Sequence, residues 1–113
     1  MNNHLLAPFL LAMLFGANTA IAANGKVTIS APADGATVVA GKKLDLSYEA
    51  DPGYEGDHLH LNVDGIHINV LRELKGKVEI DALAPGKHQL CIAVNTRGHV
   101  PTGTETCVTV MAK

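Results

Sequence analysis

The sequence has few of the residues on which many binding proteins depend. Its 113 residues include no tryptophan, two phenylalanines and two tyrosines. This scarcity disfavours recognition of carbohydrates or peptides by aromatic stacking. Nine lysines and arginines stand against eleven acidic residues, and the positive charges form no stripe. We therefore expect neither a nucleic-acid partner nor a polybasic contact with a membrane surface.

Cysteine is also scarce, with only Cys91 and Cys107 present. They do not have the Cys-x-x-Cys spacing of redox motifs, and no neighbouring cation is placed to activate a thiol. They fall in the last two apolar runs, where side chains of paired strands lie opposite each other. We therefore predict a cross-strand disulfide between them, which requires an oxidising compartment.

Patterns that carry catalytic chemistry are missing. The sequence has no nucleophile elbow, no glycine loop of the kind that binds phosphate, and no pair of carboxylates on a concave scaffold. A domain of this size also has little room for a substrate cleft. We expect a protein that is not an enzyme.

Long apolar runs are limited to one, at residues 5–15, and this run is too short to span a bilayer. Small residues follow it and end in Ala20-Ile21-Ala22-Ala23. This pattern predicts a signal peptide over residues 1–23, cleaved after Ala22 or Ala23. Residues 24–113 are then expected to form a single exported domain with no integral membrane segment.

Short β-type runs separated by turn residues fill the chain after the signal, and none shows helical periodicity. Glycine, proline, asparagine and aspartate mark the turns. The pattern predicts an all-β fold, an immunoglobulin-like two-sheet antiparallel sandwich of seven or eight short strands, with a small open barrel as the alternative. The predicted strands cover residues 26–30, 37–39, 43–50, 58–63, 66–72, 77–82, 88–95 and 105–111.

One predicted hairpin, "HLHLNVDGIHINV" at residues 58–70, concentrates histidine. Asp64-Gly65 is a strong signal for a two-residue turn, which pairs Val63 with Ile66. Because side chains alternate along a strand, this register separates two faces. The apolar face, expected to pack in the core, holds Leu59, Leu61, Val63, Ile66, Ile68 and Val70. The outward face holds His58, His60, Asn62, His67 and Asn69.

The outward histidines have a spacing that suits a metal ion. His58 and His60 lie about 6.6 Å apart along one face, so both rings can turn toward one ion. His67 lies about 7 Å from His60 across the hairpin. His99 belongs to the loop at residues 96–103, and sites are often built on such loops. Imidazole sets of this kind bind Zn or Cu. The alternative is the solvated face of an ordinary hairpin.

Three further residues bear on this hypothesis. Asp57 and Glu55 precede the histidine pair and can supply an oxygen ligand or orient a ring. His88 follows a Pro-Gly turn and shares its side of the strand with Leu90. We interpret His88 as a structural, buried and hydrogen-bonded imidazole at the inner edge of the sandwich, and not as a ligand.

The segments "SAPADGATVVAG", "GDHLHLNVDG", "LAPGKHQLCIAV" and "GHVPTG" occur together in this order. In this combination the chain resembles a group of small exported bacterial immunoglobulin-like domains of uncharacterised function, over roughly residues 29–110. The resemblance implies the sandwich, bacterial export, and interest in His58, His60, His88 and His99. It implies no reaction and no ligand, and the cysteine pair is not part of its pattern.

Two hypotheses follow for function. The first is a non-enzymatic periplasmic or secreted sandwich that binds Cu or Zn through His58 and His60, with His67 or His99 as the third ligand. The second is a structural or protein-interaction module without a metal, which docks an exported partner on a sheet face or edge strand. The distance of His99 from His58 and His60 distinguishes the two.

Overall fold

The computed structural model describes residues 25–113, and the predicted signal peptide lies outside them. This part of the chain holds no helix long and apolar enough to cross a membrane. Its elements are eight strands: β1 Lys26–Ala31, β2 Thr37–Val38, β3 Leu44–Asp51, β4 His58–Val63, β5 Ile66–Leu71, β6 Lys75–Ile80, β7 Gly86–Asn95 and β8 Pro101–Ala112.

The strands form two sheets, one with the order β1-β3-β6 and one with the order β2-β8-β7-β4-β5. Neighbouring strands are antiparallel except for the short parallel pair β2 and β8. The predicted all-β, two-sheet sandwich is confirmed. The barrel alternative is wrong, because no strand pairing among residues 25–113 joins one sheet to the other.

The core lies between the sheets and follows the two-residue period of the strands. Leu90, Ile92 and Val94 alternate along β7 and are completely shielded from solvent. Leu59 and Leu61 do the same on the neighbouring β4, and Leu46 faces them from the smaller sheet. Burial of one such side chain contributes about 1.5–3 kcal/mol. Because the alternate apolar residues of each strand point into the core, the residues between them lie on the outer face.

The histidine hairpin departs from its predicted register. Val63 pairs with Ile66 as expected, but a bulge then places Leu61 opposite Asn69. Ile66 and Ile68 are 65% and 52% exposed, and Leu71 enters the core. The prediction that β5 buries Ile66, Ile68 and Val70 with the core is therefore wrong: Val70 is only partly buried. The cause is that β5 is the edge strand of the wider sheet, where an extra residue is easily inserted.

The two cysteines are joined, which confirms the predicted disulfide. Cys91 on β7 lies directly opposite Cys107 on β8, with their Cα atoms 4.1 Å apart. Because the bond closes a loop with a sequence separation of 16, it stabilises the fold by about 3 kcal/mol in the chain-entropy model. It also holds together the two strands whose connecting loop carries His99.

His88 fastens the tip of the β4–β5 hairpin to β7. Its Nδ1 lies 2.6 Å from Asp64 Oδ2, and its Nε2 lies 2.7 Å from the carbonyl oxygen of Ala84. The other oxygen of Asp64 accepts a hydrogen bond from the Gln89 amide, at 2.8 Å. Both partners of the ring are acceptors, so both ring nitrogens must carry a hydrogen. The hydrogen bonds predicted for His88 are confirmed, whereas its predicted burial is wrong, because the ring is only partly buried beside the hairpin tip.

This contact should make stability depend on pH. The hydrogen bond to Asp64, helped by the Ala84 carbonyl, raises the pKa of His88, and the same hydrogen bond lowers the pKa of Asp64. The contribution of His88 is therefore complete below its ordinary pKa of about 6.5 and is lost as pH rises through the raised value. The contribution of Asp64 is complete above about pH 4 and is lost as pH falls through the lowered value.

We expect His88→Ala to lower the free energy of unfolding more at about pH 5.5 than at about pH 9. Urea denaturation of metal-free wild type and variant at both pH values measures this difference. Lys87→Ala, an exposed neighbour, is the control and should show no such pH dependence. An equal loss for His88→Ala at the two pH values would contradict the assignment of a protonated ring.

Candidate metal centre

Three of the four histidines predicted as ligands meet at one end of the wider sheet. His58 Nε2 lies 3.1 Å from His60 Nε2 and 3.1 Å from His99 Nδ1. The third side of this triangle, from His60 Nε2 to His99 Nδ1, is 3.2 Å. We call these three atoms the nitrogen triangle. His67 is not part of it.

Two corners of the triangle come from β4, which runs between β5 and β7. Because Leu59 points into the core, its neighbours His58 and His60 both leave the sheet on the outer face. Across on β7, His58 is opposite Asn95 and His60 is opposite Ala93. The small side chain of Ala93 leaves room above it for an imidazole ring.

The third corner comes from the loop between β7 and β8. The Thr96 amide donates to the Val100 carbonyl at 2.8 Å, and the His99 amide donates to the Thr96 carbonyl at 2.9 Å. The Thr96 hydroxyl also accepts a hydrogen bond from the Val100 amide, at 3.2 Å. His99 itself has a φ of 67°, in the left-handed region that side-chain-bearing residues seldom adopt. Backbone of this kind costs about 1–2 kcal/mol and persists where the surrounding turn holds it.

His58 is more enclosed than predicted. The hairpin pattern predicts an outward, solvated side chain for His58, but only 1% of the residue is exposed. His99 and Asp57 contact its ring on that outer face. Alternation along a strand tells which face a side chain leaves from, and a loop distant in sequence decides whether that face is covered. His60 is partly buried, while His67 and His99 are exposed.

Asp57 sets the orientation and tautomer of His58. Its Oδ2 lies 3.0 Å from His58 Nδ1, and a carboxylate can only accept there, so Nδ1 carries the hydrogen. His58 Nε2 is then left with a lone pair directed into the nitrogen triangle. The hydrogen bond to His58, with Arg97 and Arg72 each 3.9 Å away, lowers the pKa of Asp57. Glu55, also considered as an oxygen donor, is exposed and outside the cluster.

His60 is held in its neutral form. Burial disfavours its charged ring and lowers its pKa, and the neighbouring His67, His58 and His99 lower it further. A neutral imidazole offers the lone pair that a metal ligand needs. The environment of His60 therefore opposes its protonation and favours a ring with a free lone pair.

The remaining candidate ligands lie outside the triangle. His67 packs its ring against that of His60, with centroids 4.5 Å apart and planes inclined by 47°. Cys91, Glu105 and Cys107 also offer ligand atoms within 4.8 Å of one another. Both sulfurs of that group are in the disulfide, so neither is available as a thiolate.

The nitrogen triangle has the dimensions of a tripod for one ion. Its centre is only about 1.8 Å from each corner, so an ion at the usual Zn–N distance of about 2.0–2.1 Å sits above the plane of the three nitrogens. The three contacts cannot all be hydrogen bonds. With no hydrogen on His58 Nε2, at most two hydrogens are available for three close pairs. A cation satisfies all three lone pairs together.

One residue of this region, Asn95, was not predicted from the sequence. It is 3% exposed, it faces His58 across the strands, and its Oδ1 has no hydrogen-bond partner among residues 25–113. The available signal was its position: Asn95 directly follows the core residue Val94 and so leaves β7 on the histidine face. An asparagine at the end of a strand suggests a turn, which hid that signal.

Comparisons with known proteins describe the fold. No family model matches the chain, and no curated protein matches it. Among solved structures it is similar to the fibronectin(III)-like modules of Clostridium thermocellum CbhA, with 21% identity, a TM-score of 0.64, and coverage of 77% of this chain and 96% of that one. It is also similar to the extracellular domain of B. thetaiotaomicron BT4673, described as a one-component system, with 15% identity, a TM-score of 0.50, and coverage of 78% of this chain and 15% of that one.

These likenesses confirm the immunoglobulin-like sandwich predicted from the sequence. At these identities they show the fold alone. The resemblance to small exported bacterial domains is supported only at that level, and the ligand chemistry rests on the residues of this chain.

The segment that leads into His58 passes close to other parts of the chain at Gly56, where only a glycine fits. A Cβ at this position would collide with the Pro52 carbonyl oxygen and lie 2.6 Å from Val94 Cγ1. We expect Gly56→Ala to lower the free energy of unfolding by about 1–3 kcal/mol, as overpacking does. Gly98→Ala in the His99 loop is the matched control, because its nearest contact would be 3.9 Å away. Equal urea denaturation curves for the two variants would contradict this account.

Proposed function

We propose that this chain binds one transition-metal ion, Cu or Zn, through His58 Nε2, His60 Nε2 and His99 Nδ1, and that it is not an enzyme. The observation that carries the proposal is the nitrogen triangle, with sides of 3.1–3.2 Å. His99 takes the place of the third ligand, and His67 packs on His60 without being a ligand.

The donor set supports Cu or Zn over other biological cations. Three imidazole nitrogens suit borderline-soft ions, whereas Ca and Mg prefer oxygen ligands. The carboxylate of Asp57 behind His58 forms the carboxylate–histidine pair that orients ligands in many metal centres. Both Cu and Zn accept three imidazoles, so the proposal covers both ions.

The compartment we propose is the bacterial periplasm or the exterior of the cell. The disulfide between Cys91 and Cys107 supports it, because such bonds persist where thiols are oxidised. In that setting the protein would act as a binding or carrier module for the ion. The absence of a catalytic pattern in the sequence supports a role in binding over a role in catalysis.

A second candidate function is a protein-interaction module without a metal. The observation that favours it is β5, an edge strand that exposes both Ile66 and Ile68. Exposed edge strands can pair with an extended segment of a partner. Metal titration separates this candidate from the first.

We expect the purified domain to bind one equivalent of Cu(II) or Zn(II) in calorimetric titration. His58→Ala, His60→Ala and His99→Ala should each weaken binding by more than about 100-fold, since losing a ligand exceeds the 10–100-fold cost of losing an outer partner. His88→Ala is the matched control and should retain the wild-type affinity, while His67→Ala, which removes a ring packed on His60 but no ligand atom, should weaken binding far less than loss of a ligand. Equally weak binding by wild type and a His58→Ala/His60→Ala double variant would exclude the metal and leave the interaction module.

Asp57 should matter for affinity although it is not a ligand. We expect Asp57→Asn to weaken metal binding by about 10–100-fold, because a neutral amide orients the His58 ring less firmly and does not offset the charge of the ion. Asp45→Asn, an exposed aspartate beside Lys77 on the other sheet, is the control. An unchanged affinity in Asp57→Asn would show that the contact with His58 has no part in coordination.

A further inference from the structure

Both cysteines and one glutamate form a second group of ligand atoms, separate from the nitrogen triangle. Cys91 lies between the core residues Leu90 and Ile92, so its side chain leaves β7 on the outer face of the wider sheet. Cys107 is directly opposite it on β8, and Glu105 is two residues before Cys107. Their ligand atoms lie within 4.8 Å of one another. We call Cys91, Cys107 and Glu105 the dithiol patch.

The sheet holds the dithiol patch together without help from the disulfide. The antiparallel register of β7 with β8 continues on both sides of the cysteines. Thr106, between Glu105 and Cys107, points to the smaller sheet, where its hydroxyl donates to the Val27 carbonyl at 2.7 Å. None of these contacts involves a sulfur atom. A chain with reduced cysteines therefore keeps the three side chains of the patch on one face.

Two thiolates at these positions suit one ion. The thiolate is the form of cysteine that binds metals. Two sulfurs at about 2.3 Å from one tetrahedral Zn ion lie about 3.8 Å apart. Cys91 and Cys107, with Cα atoms 4.1 Å apart, can place their sulfurs at that separation once the bond between them is broken. Zn also accepts a carboxylate oxygen, and Glu105 is exposed to solvent.

We propose that the dithiol patch binds one Zn(II) ion when the disulfide is reduced, and that formation of the disulfide expels the ion. Binding releases the two thiol protons. Expulsion needs an oxidised disulfide as co-reactant. Two electrons pass from the thiolates to that disulfide, which takes up two protons and becomes two thiols, while the Cys91–Cys107 bond forms and Zn(II) leaves.

This inference is independent of the proposed function, because it involves no histidine. It also agrees with the compartment proposed above. Where thiols are oxidised the disulfide form without this ion prevails, and the patch is open only before oxidation or after reduction. The ion and the disulfide are thus alternative states of the same two sulfurs.

The test uses the domain with His60→Ala and His99→Ala, which removes two nitrogens of the triangle and so prevents competition for Zn(II). One sample keeps the disulfide, and the other is reduced with dithiothreitol and desalted without oxygen. Zn(II) is titrated into each in competition with a Zn-binding dye. The reduced sample should bind one equivalent more than about 100-fold more tightly than the oxidised sample, because it gains two ligands.

Substitutions on the same background identify the ligands. Cys107→Ser should weaken Zn(II) binding by the reduced sample more than about 100-fold, and Glu105→Gln more than about tenfold. Glu79→Gln, an exposed glutamate on the smaller sheet, is the control and should change nothing. Co(II) in place of Zn(II) should give a sulfur-to-metal charge-transfer band that Cys107→Ser weakens.

The release step is tested with oxidised glutathione, added to the reduced and Zn-loaded sample. The dye should report release of the ion as the thiols disappear. Retention of the ion by the oxidised chain would overturn the inference. So would equal affinities of the reduced and oxidised samples, an unchanged affinity in Cys107→Ser or Glu105→Gln, or loss of the β-type circular dichroism on reduction. Should the double histidine variant fail to fold, reduced wild type should bind one equivalent more than oxidised wild type.

Discussion

The alternation of β4 is the constraint on which the rest of the site depends. Leu59 and Leu61 are fully buried between the sheets, and each contributes hydrophobic stabilisation only in that orientation. A slip of one residue would expose both leucines and bury both histidines, so the register is strongly specified. The positions of His58 and His60 on the outer face are therefore maintained by the core. These two histidines need no other support to share one side of the sheet.

Once His58 and His60 share the outer face, the remaining residues of the site cover that face and orient the histidine rings. The disulfide joins β7 to β8, and the turn hydrogen bonds around Thr96 bring His99 over the end of β4. Asp57 adds one negative charge behind His58 and leaves His58 Nε2 without a hydrogen. Rigid strands supply two nitrogens of the triangle and a short, internally bonded loop supplies the third. Three nitrogens held in this way would lose little conformational entropy on binding the ion that we propose.

Most of the features that were predicted correctly depend on short-range patterns in the sequence. Turn residues and apolar alternation located all eight strands, and parity placed Cys91 opposite Cys107. The same reasoning failed at the bulge in β5, because an extra residue at an edge strand has almost no local signature. It also failed for the burial of His58, which depends on a loop about forty residues away in sequence that no window along the chain can detect. It missed the burial of Asn95 for a local reason, because an asparagine at the end of a strand suggests a turn.

The two histidine environments show how neighbours decide what an imidazole does in this fold. At His88 both ring nitrogens donate to oxygen acceptors, so the ring is stable as a cation and links the hairpin tip to β7. His60 is partly buried and lies beside other imidazoles. Both conditions disfavour protonation of its ring and leave a nitrogen lone pair free. His58 combines both conditions, with an acceptor behind it and nitrogens in front. His58 Nε2 and the nitrogens of His60 and His99 therefore face one another, with the Asp57 carboxylate behind His58, and the proposed metal site rests on this geometry.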